Sequence, residues 1–159
     1  MENRIEALRE YIDDILLNMT DTFERRCGYL HLYGVSHFCT LFALKRSDNV
    51  ELATMAGMLH DIYSYKTLDT KDHAQKGSIL AKEILDNIKL TTADETEILC
   101  NAILHHSDKK NRHSTFDEIL KDADTIQHYL YNIDLPIIEK EKNRLKNIMN
   151  ELGIKYEIE

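Results

Sequence analysis

The scarcity of glycine and proline is the feature of this sequence that most restricts its fold. Only six of the 159 residues are Gly or Pro, five and one respectively, which is about 4% where average usage is about 12%. A sandwich or barrel of many strands needs turn-forming residues at each of its connections. The sequence therefore argues against an all-β fold.

Apolar residues recur at spacings of three and four through most of the chain, the pattern of helices that bury one face. Gly34 separates a short helix after Asp21 from the next segment. The longer stripes predict helices over roughly residues 2 to 19, 35 to 46, 52 to 61, 73 to 88, 92 to 106, 115 to 130 and 136 to 152. No linker or repeat interrupts them, so we predict an all-α fold, a single compact domain of about six to seven helices over residues 1–159.

Capping residues and irregular stretches set the predicted boundaries of these helices. Residues 62 to 72 lack helical spacing and predict a loop. The helix starts are predicted by two capping boxes, Thr92 with Glu95 and Thr115 with Glu118, and by Pro136, which suits the first turn of the last helix.

Charge and apolar content exclude several classes of protein. The chain has 20 basic and 28 acidic residues, a net charge of −8, which argues against a large nucleic acid or an anionic lipid surface as partner. No apolar run approaches the ~20 residues that span a bilayer, and residues 1–10 lack the pattern of a secretory signal. We expect a cytoplasmic protein without a membrane partner. Cys27, Cys39 and Cys100 are odd in number and lack CxxC spacing, so we interpret them as core residues.

Histidine is the unusual residue type, with eight in the chain. Several stand beside Asp or another His near predicted helix ends. Imidazole and carboxylate together, without cysteine, suit a divalent metal in a hydrolytic site. The candidates are His37, His60, Asp61, His73, His105, His106 and Asp124. We interpret His31, His113 and His128 as ordinary hydrogen-bonded residues.

The ordered set resembles the signature of the HD-domain superfamily of metal-dependent phosphohydrolases, which is a helical His, then a His-Asp pair, then a distant Asp. The counterparts are His37 in VSHFCTLFALKR, His60 and Asp61 in ATMAGMLHDIYS, and Asp124 in EILKDADTIQHYL. The resemblance extends from about Leu30 to Leu130 and implies that these four residues hold a first metal. It also favours Asp124 over Asp122, which apolar spacing alone leaves equal.

Two further features resemble the superfamily members that hold two metals, such as bis-nucleosyl tetraphosphatases and cyclic-dinucleotide phosphodiesterases. They are His73, which precedes AQKGSILA, and the two histidines of AILHHS. The resemblance implies that His73, His106 and His105 are ligands or phosphate contacts around a second metal position, and we take His73 and His106 as metal ligands and His105 as a substrate contact. The expected cofactor is one or two divalent ions of Mn, Zn, Fe, Co, Ni or Mg.

Basic residues near these candidates are expected to bind phosphate. Many members of the superfamily have a lysine shortly after the His-Asp pair, whereas this chain reads HDIYSYK, with Ser64 at that place and Lys66 two residues later. We take Lys66 as a catalytic candidate beside His60 and Asp61. The run HHSDKKNRH adds Lys109, Lys110 and Arg112 as candidates for substrate binding.

These residues together predict an enzyme that hydrolyses a phosphate ester or anhydride through a metal-activated water. The expected substrate is a small molecule, a nucleotide or a related compound. The alternative is a non-catalytic HD scaffold that binds a nucleotide or a protein partner.

Overall fold

The computed structural model describes residues 3–155, which form eight α-helices and contain no strand. The helices are α1 Arg4–Leu17, α2 Thr22–Arg46, α3 Val50–Leu59, α4 Ile62–Thr67, α5 His73–Ile88, α6 Ala93–His105, α7 Thr115–Tyr131 and α8 Lys142–Glu151. The all-α class is confirmed. Residue 2, where the first helix was predicted to begin, and the outermost residues of the predicted domain, 1–2 and 156–159, lie outside the described part. Within that part, no helix is both long and apolar enough to cross a membrane.

Helix α2 is the longest element, with 25 residues, and it packs against both α3 and α7. The predicted break at Gly34 is wrong, because the helix continues through that residue. A Cβ atom at position 34 would lie 2.9 Å from Cγ of Gln127 on α7. The glycine therefore permits close helix packing instead of making a turn.

The crossing of α2 and α3 also depends on a glycine. A Cβ atom on Gly57 would lie 2.4 Å from Cα of Ser36, which no packed structure tolerates. The side chain of Ser36 donates a hydrogen bond to the carbonyl of Thr54 at 2.9 Å across the same interface. This close contact fixes the end of α3, where His60 follows three residues after Gly57.

The His60–Asp61 pair lies at a corner between two helices. His60 is the last residue associated with α3, and Asp61 directly precedes α4. The prediction of a loop over residues 62–72 is wrong in its first half, because Ile62 is completely buried and anchors the short helix α4. The corner lets two adjacent side chains point toward the same place, although neighbours within one helix diverge by about 100°.

The predicted helix starts have mixed outcomes. The capping box of Thr92 and Glu95 is confirmed. The second box, Thr115 with Glu118, is wrong, because Ser114, one residue earlier, caps α7 with its side chain. The last helix begins at Lys142, after a 3-10 turn at Glu139–Glu141, and not at Pro136, which lines a cavity next to α7.

Candidate metal centre

Six imidazole and carboxylate side chains from separate parts of the chain meet at one place, which we call the His/Asp cluster. Residues of α2 and α7 enter it from the middle of their helices, whereas the others come from helix ends, which is why the cluster forms only in the folded chain. The members are His31 in α2, His60 and Asp61 at the corner of α3 and α4, His73 at the start of α5, His106 after α6, and Asp124 in α7.

The four histidines of the cluster are held in one tautomer. A carbonyl oxygen can only accept a hydrogen bond, so a ring nitrogen bonded to it carries the hydrogen, and the other nitrogen of the neutral ring keeps its lone pair. Orientation of metal-binding imidazoles by such acceptors is common. Each histidine donates from its Nδ1 atom: His31 to Gln127 Oε1 at 2.7 Å, His60 to Gly57 O at 2.8 Å, His73 to Thr70 O at 3.1 Å, and His106 to Ile103 O at 2.6 Å.

His31, His60, Asp61 and Asp124 form the first group of the cluster. The Nε2 atoms of His31 and His60 lie 3.0 Å apart. His31 Nε2 is 3.2 Å from Asp61 Oδ2 and 3.5 Å from Asp124 Oδ1, and His60 Nε2 is 3.5 Å and 3.7 Å from the same two atoms. Two imidazole lone pairs at this separation repel each other unless a proton or a cation lies beside them.

Asp61, His73 and His106 form the second group. Oδ1 of Asp61 lies 3.2 Å from Nε2 of His106 and 3.6 Å from Nε2 of His73, and the two Nε2 atoms are 3.2 Å apart. Asp61 therefore directs Oδ2 to the first group and Oδ1 to the second. This arrangement suits a carboxylate that bridges two neighbouring metal positions.

The donor atoms of the cluster fit divalent ions. Asp61 Oδ1 and Asp124 Oδ1 are both buried and accept no hydrogen bond from any described residue, a costly state for a carboxylate oxygen without a cation. Metal bonds of about 2.0–2.2 Å place neighbouring ligands about 3.0–3.5 Å apart, close to the spacing within both groups. The set of nitrogen and oxygen donors without sulfur suits Zn, Mn, Fe, Co or Ni.

The electrostatics of the cluster also favour bound positive charge. Burial opposes ionisation of both carboxyls, yet neighbouring imidazoles hold the pKa of Asp61 well below the usual range, and Lys109 with the neighbouring imidazoles does the same for Asp124. Burial lowers the pKa of His60. Burial acts the same way on His31, but the hydrogen bond with Asp61 and the charge of Asp124 outweigh it and raise the pKa of that ring.

Asp124 is held by a buried lysine, whereas Asp122 belongs to a different network. Lys109 Nζ donates to Asp124 Oδ2 at 2.6 Å, which leaves Oδ1 facing the cluster. Asp122 pairs with Arg46 and Arg144, each at 2.6 Å. The structure therefore brings Asp124, and not Asp122, to the histidines.

His128 stands at the rim of the cluster, although we interpreted it from the sequence as an ordinary residue. Its Nε2 lies 3.2 Å from Asp124 Oδ1, and its Nδ1 lies 3.3 Å from both carboxylate oxygens of the buried Glu141. His31, Asp124 and His128 themselves form a group whose donor atoms could hold an ion.

A cavity of about 480 Å³ adjoins the cluster, and His31, Asp61 and His128 lie on its wall. Phe23, Tyr65 and other apolar residues line most of the rest, together with Thr125, Gln127, Asn132 and Glu141. The volume lies within the roughly 300–1,000 Å³ of small-molecule sites. The cluster is thus accessible to a ligand.

The structure places His31, which we interpreted as an ordinary residue, among the candidate ligands, and leaves His37 outside them. His37 is exposed and belongs to none of the groups formed by the described residues. It follows His31 by six residues, which rotates its side chain by about 240° around the helix. The signal was present in the sequence, since His31 continues the stripe of Val35 and Cys39 toward the N-terminus, but reading Gly34 as a break ended the stripe too early.

The other predicted residues outside the cluster have different surroundings. His105 Nδ1 contacts Asp117 Oδ2 at 2.7 Å, and its ring stacks on His113 at 4.0 Å, so it points away from the cluster. Lys66 is exposed near the end of α4 and does not line the cavity. Lys110 and Arg112 are also exposed and line a separate polar cavity that no cluster residue reaches. Lys109 contacts Asp124 and is too buried to bind a substrate in a solvent-accessible site.

Comparison with known proteins identifies the family. The model of the HD domain matches residues 28–128, well over half of the chain, from just before His31 to just after Asp124. A similar fold, with a TM-score of 0.61 and 18% identity, occurs in the crystal structure of a protein described as a predicted HD superfamily hydrolase from an uncultured Thermotogales bacterium, with 93% of this chain and 86% of that chain covered. Among curated proteins, no match was found. The match of the family model over most of the described core shows that the chain belongs to the HD-domain family.

Proposed function

We propose that this chain is a metal-dependent phosphohydrolase that hydrolyses a phosphate ester or anhydride of a small molecule, such as a nucleotide. The observation that carries the proposal is the convergence of four Nε2 atoms on two buried carboxylate oxygens without hydrogen-bond partners among the described residues. Membership of the HD-domain family supports the same chemistry. When bound, divalent ions lower the pKa of water toward ~7 and polarise a phosphoryl oxygen.

The residues of the chain have separate roles in this proposal. His31, His60, Asp61 and Asp124 would hold the first ion, and Asp61, His73 and His106 the second. Asp61 would contribute to both positions, since its Oδ2 faces His31 and its Oδ1 faces His106. The fixed tautomers keep each imidazole in its binding orientation, so the ligands need little rearrangement when an ion binds.

The chain places no free cation at the cluster for the charge of the phosphate. Lys109 is engaged with Asp124, and no lysine or arginine within residues 3–155 lines the adjoining cavity. Neutralisation of a bound phosphate therefore falls to the metal ions and to the histidines. This dependence predicts an enzyme without measurable activity once its metal is removed.

A metal-reconstitution assay tests the proposed function. Protein stripped with a chelator is reloaded separately with Mn, Zn, Fe, Co, Ni or Mg and supplied with an aryl phosphate, a diaryl phosphate and a nucleotide panel. We expect hydrolysis that requires metal and is abolished by His60→Ala and by Asp61→Ala, while circular dichroism shows that both variants stay helical. Metal-loaded protein that hydrolyses none of these substrates would contradict the proposal and favour the non-catalytic scaffold.

A further inference from the structure

The cavity beside the His/Asp cluster has room for the part of a substrate that lies beyond its phosphate group. It lies between α2, α4, α7 and the irregular segment that follows α7, and its volume of about 480 Å³ far exceeds that of a single phosphate group. His31 and Asp61 form part of its wall. A phosphate bound at the cluster would therefore direct the rest of its molecule into this space.

The walls of the cavity disfavour additional negative charge. Within the described residues, none of its lining side chains is a lysine or an arginine, and Glu141 contributes a buried carboxylate. The imidazoles of His31 and His128 on the wall already face Asp124, so a second or third phosphate would find no lysine or arginine as a partner among the described residues, and an unpaired charge away from water is costly. The cavity thus suits a substrate whose only charged group is the phosphate at the cluster.

Aromatic and aliphatic side chains at the mouth of the cavity remain exposed to solvent. Phe23 is 57% exposed, Tyr131 47% and Leu135 56%, and all three line the cavity together with Tyr65. Large apolar side chains that face one cavity from several sides gain free energy when a flat apolar ligand covers them. This argues for an aromatic group in the substrate.

One of the polar side chains that line the cavity has a hydroxyl that is unpaired within residues 3–155. Thr125 lines it, is only 1% exposed, and has no hydrogen-bond partner for its hydroxyl among the described residues. Buried hydroxyl groups nearly always have a partner. A ligand that carries one hydrogen-bonding atom on its aromatic group would satisfy this hydroxyl.

We infer that the substrate is a phosphomonoester of an aromatic or heteroaromatic compound, with its ring in this cavity and a single phosphate at the cluster. The inference rests on the proposed function and narrows it, because it excludes nucleoside diphosphates and triphosphates as preferred substrates. Phe23 and Tyr131 determine the specificity by contacting the ring.

Two substrate series test the inference on the metal-loaded enzyme. In the first, 1-naphthyl phosphate is compared with glycerol 3-phosphate, which has one phosphate and no ring. In the second, adenosine mono-, di- and triphosphate vary only in the number of phosphates. We expect kcat/KM to be at least about tenfold higher for the ring-bearing ester, and to fall by roughly 10–100-fold from the mono- to the triphosphate. Equal rates for glycerol 3-phosphate, or a triphosphate as good as the monophosphate, would overturn the inference.

Variants at the mouth of the cavity provide a second test. Phe23→Ala and Tyr131→Ala should each raise KM for 1-naphthyl phosphate by about tenfold and leave KM for glycerol 3-phosphate unchanged. Leu44→Ala is the matched control, because Leu44 is an apolar side chain of α2 that is 63% exposed and does not line the cavity. An unchanged KM in both cavity variants, or the same loss in the control, would refute a role for these residues.

A binding measurement separates failure of this inference from failure of the proposed function. Calorimetry with 1-naphthol and metal-free protein detects the cavity without any hydrolysis. Binding that weakens in Phe23→Ala and Tyr131→Ala, combined with no hydrolysis of any ester, would support the cavity assignment and refute the proposed function. Hydrolysis of phosphate esters without binding of 1-naphthol would support the function and refute the cavity assignment.

Discussion

At the scale of single residues, the clearest distinction in the metal centre is between two histidines of the same helix. His31 is buried and has its Nε2 atom 3.0 Å from that of His60, whereas His37 is exposed. We expect His31→Ala to lose at least one bound metal ion and nearly all hydrolysis, and His37→Ala to keep both. Elemental analysis and an aryl phosphate assay on the two variants check this. The reverse result would restore His37 as the ligand.

Lys109 is a positioning residue for Asp124. Loss of a partner that orients a metal ligand typically costs 10–100-fold in metal affinity or activity, so we expect Lys109→Met to weaken metal binding by roughly that factor. Lys109→Arg should recover part of it, because a cation returns to Asp124 Oδ2. The adjacent and exposed Lys110 supplies the control, and Lys110→Met should bind metal normally. Metal titrations of the three variants would contradict this role if Lys109→Met bound as tightly as Lys110→Met.

The sequence predicted some of these residues and not others for physical reasons. His60, Asp61, His73, His106 and Asp124 all lie in the cluster, and their order and local context were readable from the sequence. The role of Lys109 was not readable from the sequence. Its pairing with Asp124 joins residues 15 positions apart and depends on the packing of a loop on α7. The face of α2 that carries His31 was readable from the stripe of Val35 and Cys39, and was missed because Gly34 was interpreted as a break.

At the scale of helices, the contact of α2 with α3 sets the geometry of the first group. Alanine is favoured over glycine inside a helix by about 0.5–1 kcal/mol, but a methyl group at Gly57 would meet backbone atoms of Ser36 at 2.4 Å. Such overpacking typically costs about 1–3 kcal/mol or more, so the clash should prevail. We expect Gly57→Ala to lower the free energy of unfolding, measured with urea, and to weaken metal binding as His60 moves from His31.

Gly34 provides the matched comparison for that substitution. A methyl group there would meet only the side chain of Gln127, at 2.9 Å, and a side chain can move where a backbone cannot. We therefore expect a smaller change in unfolding free energy for Gly34→Ala than for Gly57→Ala. Equal stability of the Gly57→Ala variant and the unaltered protein would show that the helices separate without cost.

The helices themselves were predictable wherever a stripe of apolar residues was long. Helices α1, α5 and α6 lie within two or three residues of their predicted limits. The prediction at Gly34 was wrong because the sequence alone does not distinguish a glycine needed for close helix packing from a glycine needed for a turn. Helix α4 was missed because six residues are too few to show a period.

At the scale of the whole molecule, a buried ionic network ties α7 to α8 and should make stability depend on acid. Glu118 accepts from Arg144 at 2.8 Å and from Lys121 at 3.0 Å. Although burial opposes ionisation, the hydrogen bonds from the His113 amide, Arg144 and Lys121 lower the pKa of Glu118 from 4.5 to about 2. The stabilisation is complete above pH 4.5 and is lost as the pH falls toward 2, because the unfolded chain then binds a proton first.

Urea unfolding at a series of pH values measures this dependence. We expect the ionisation of Glu118 to account for a decrease of up to about 3 kcal/mol in the unfolding free energy between pH 4.5 and 2. The Glu118→Gln variant should lack this contribution to the decrease. Glu97→Gln, at an exposed position of α6, should leave the pH dependence as it is. The same slope in the Glu118→Gln variant would show that the network contributes nothing.

In the whole molecule, the carboxylates of the cluster and a group of basic side chains face two different cavities. The carboxylates of Asp61 and Asp124 face the histidines at one cavity, whereas Lys110 and Arg112 line another with Arg46 and Arg144. A domain with a net charge of −8 can therefore attract an anionic phosphate to its cluster only when cations occupy it. Metal binding is thus the step on which every proposed activity depends.

Metal stoichiometry tests the two-position centre most directly. Chelator-stripped protein is reloaded with Mn²⁺ or Zn²⁺, freed of excess ion and measured by elemental analysis. We expect about two ions per chain in the unaltered protein and about one in His106→Ala, while His105→Ala, whose ring faces Asp117, keeps about two. A loaded protein that retains only one ion, or a His106→Ala variant that retains as many as His105→Ala, would contradict the two-position centre.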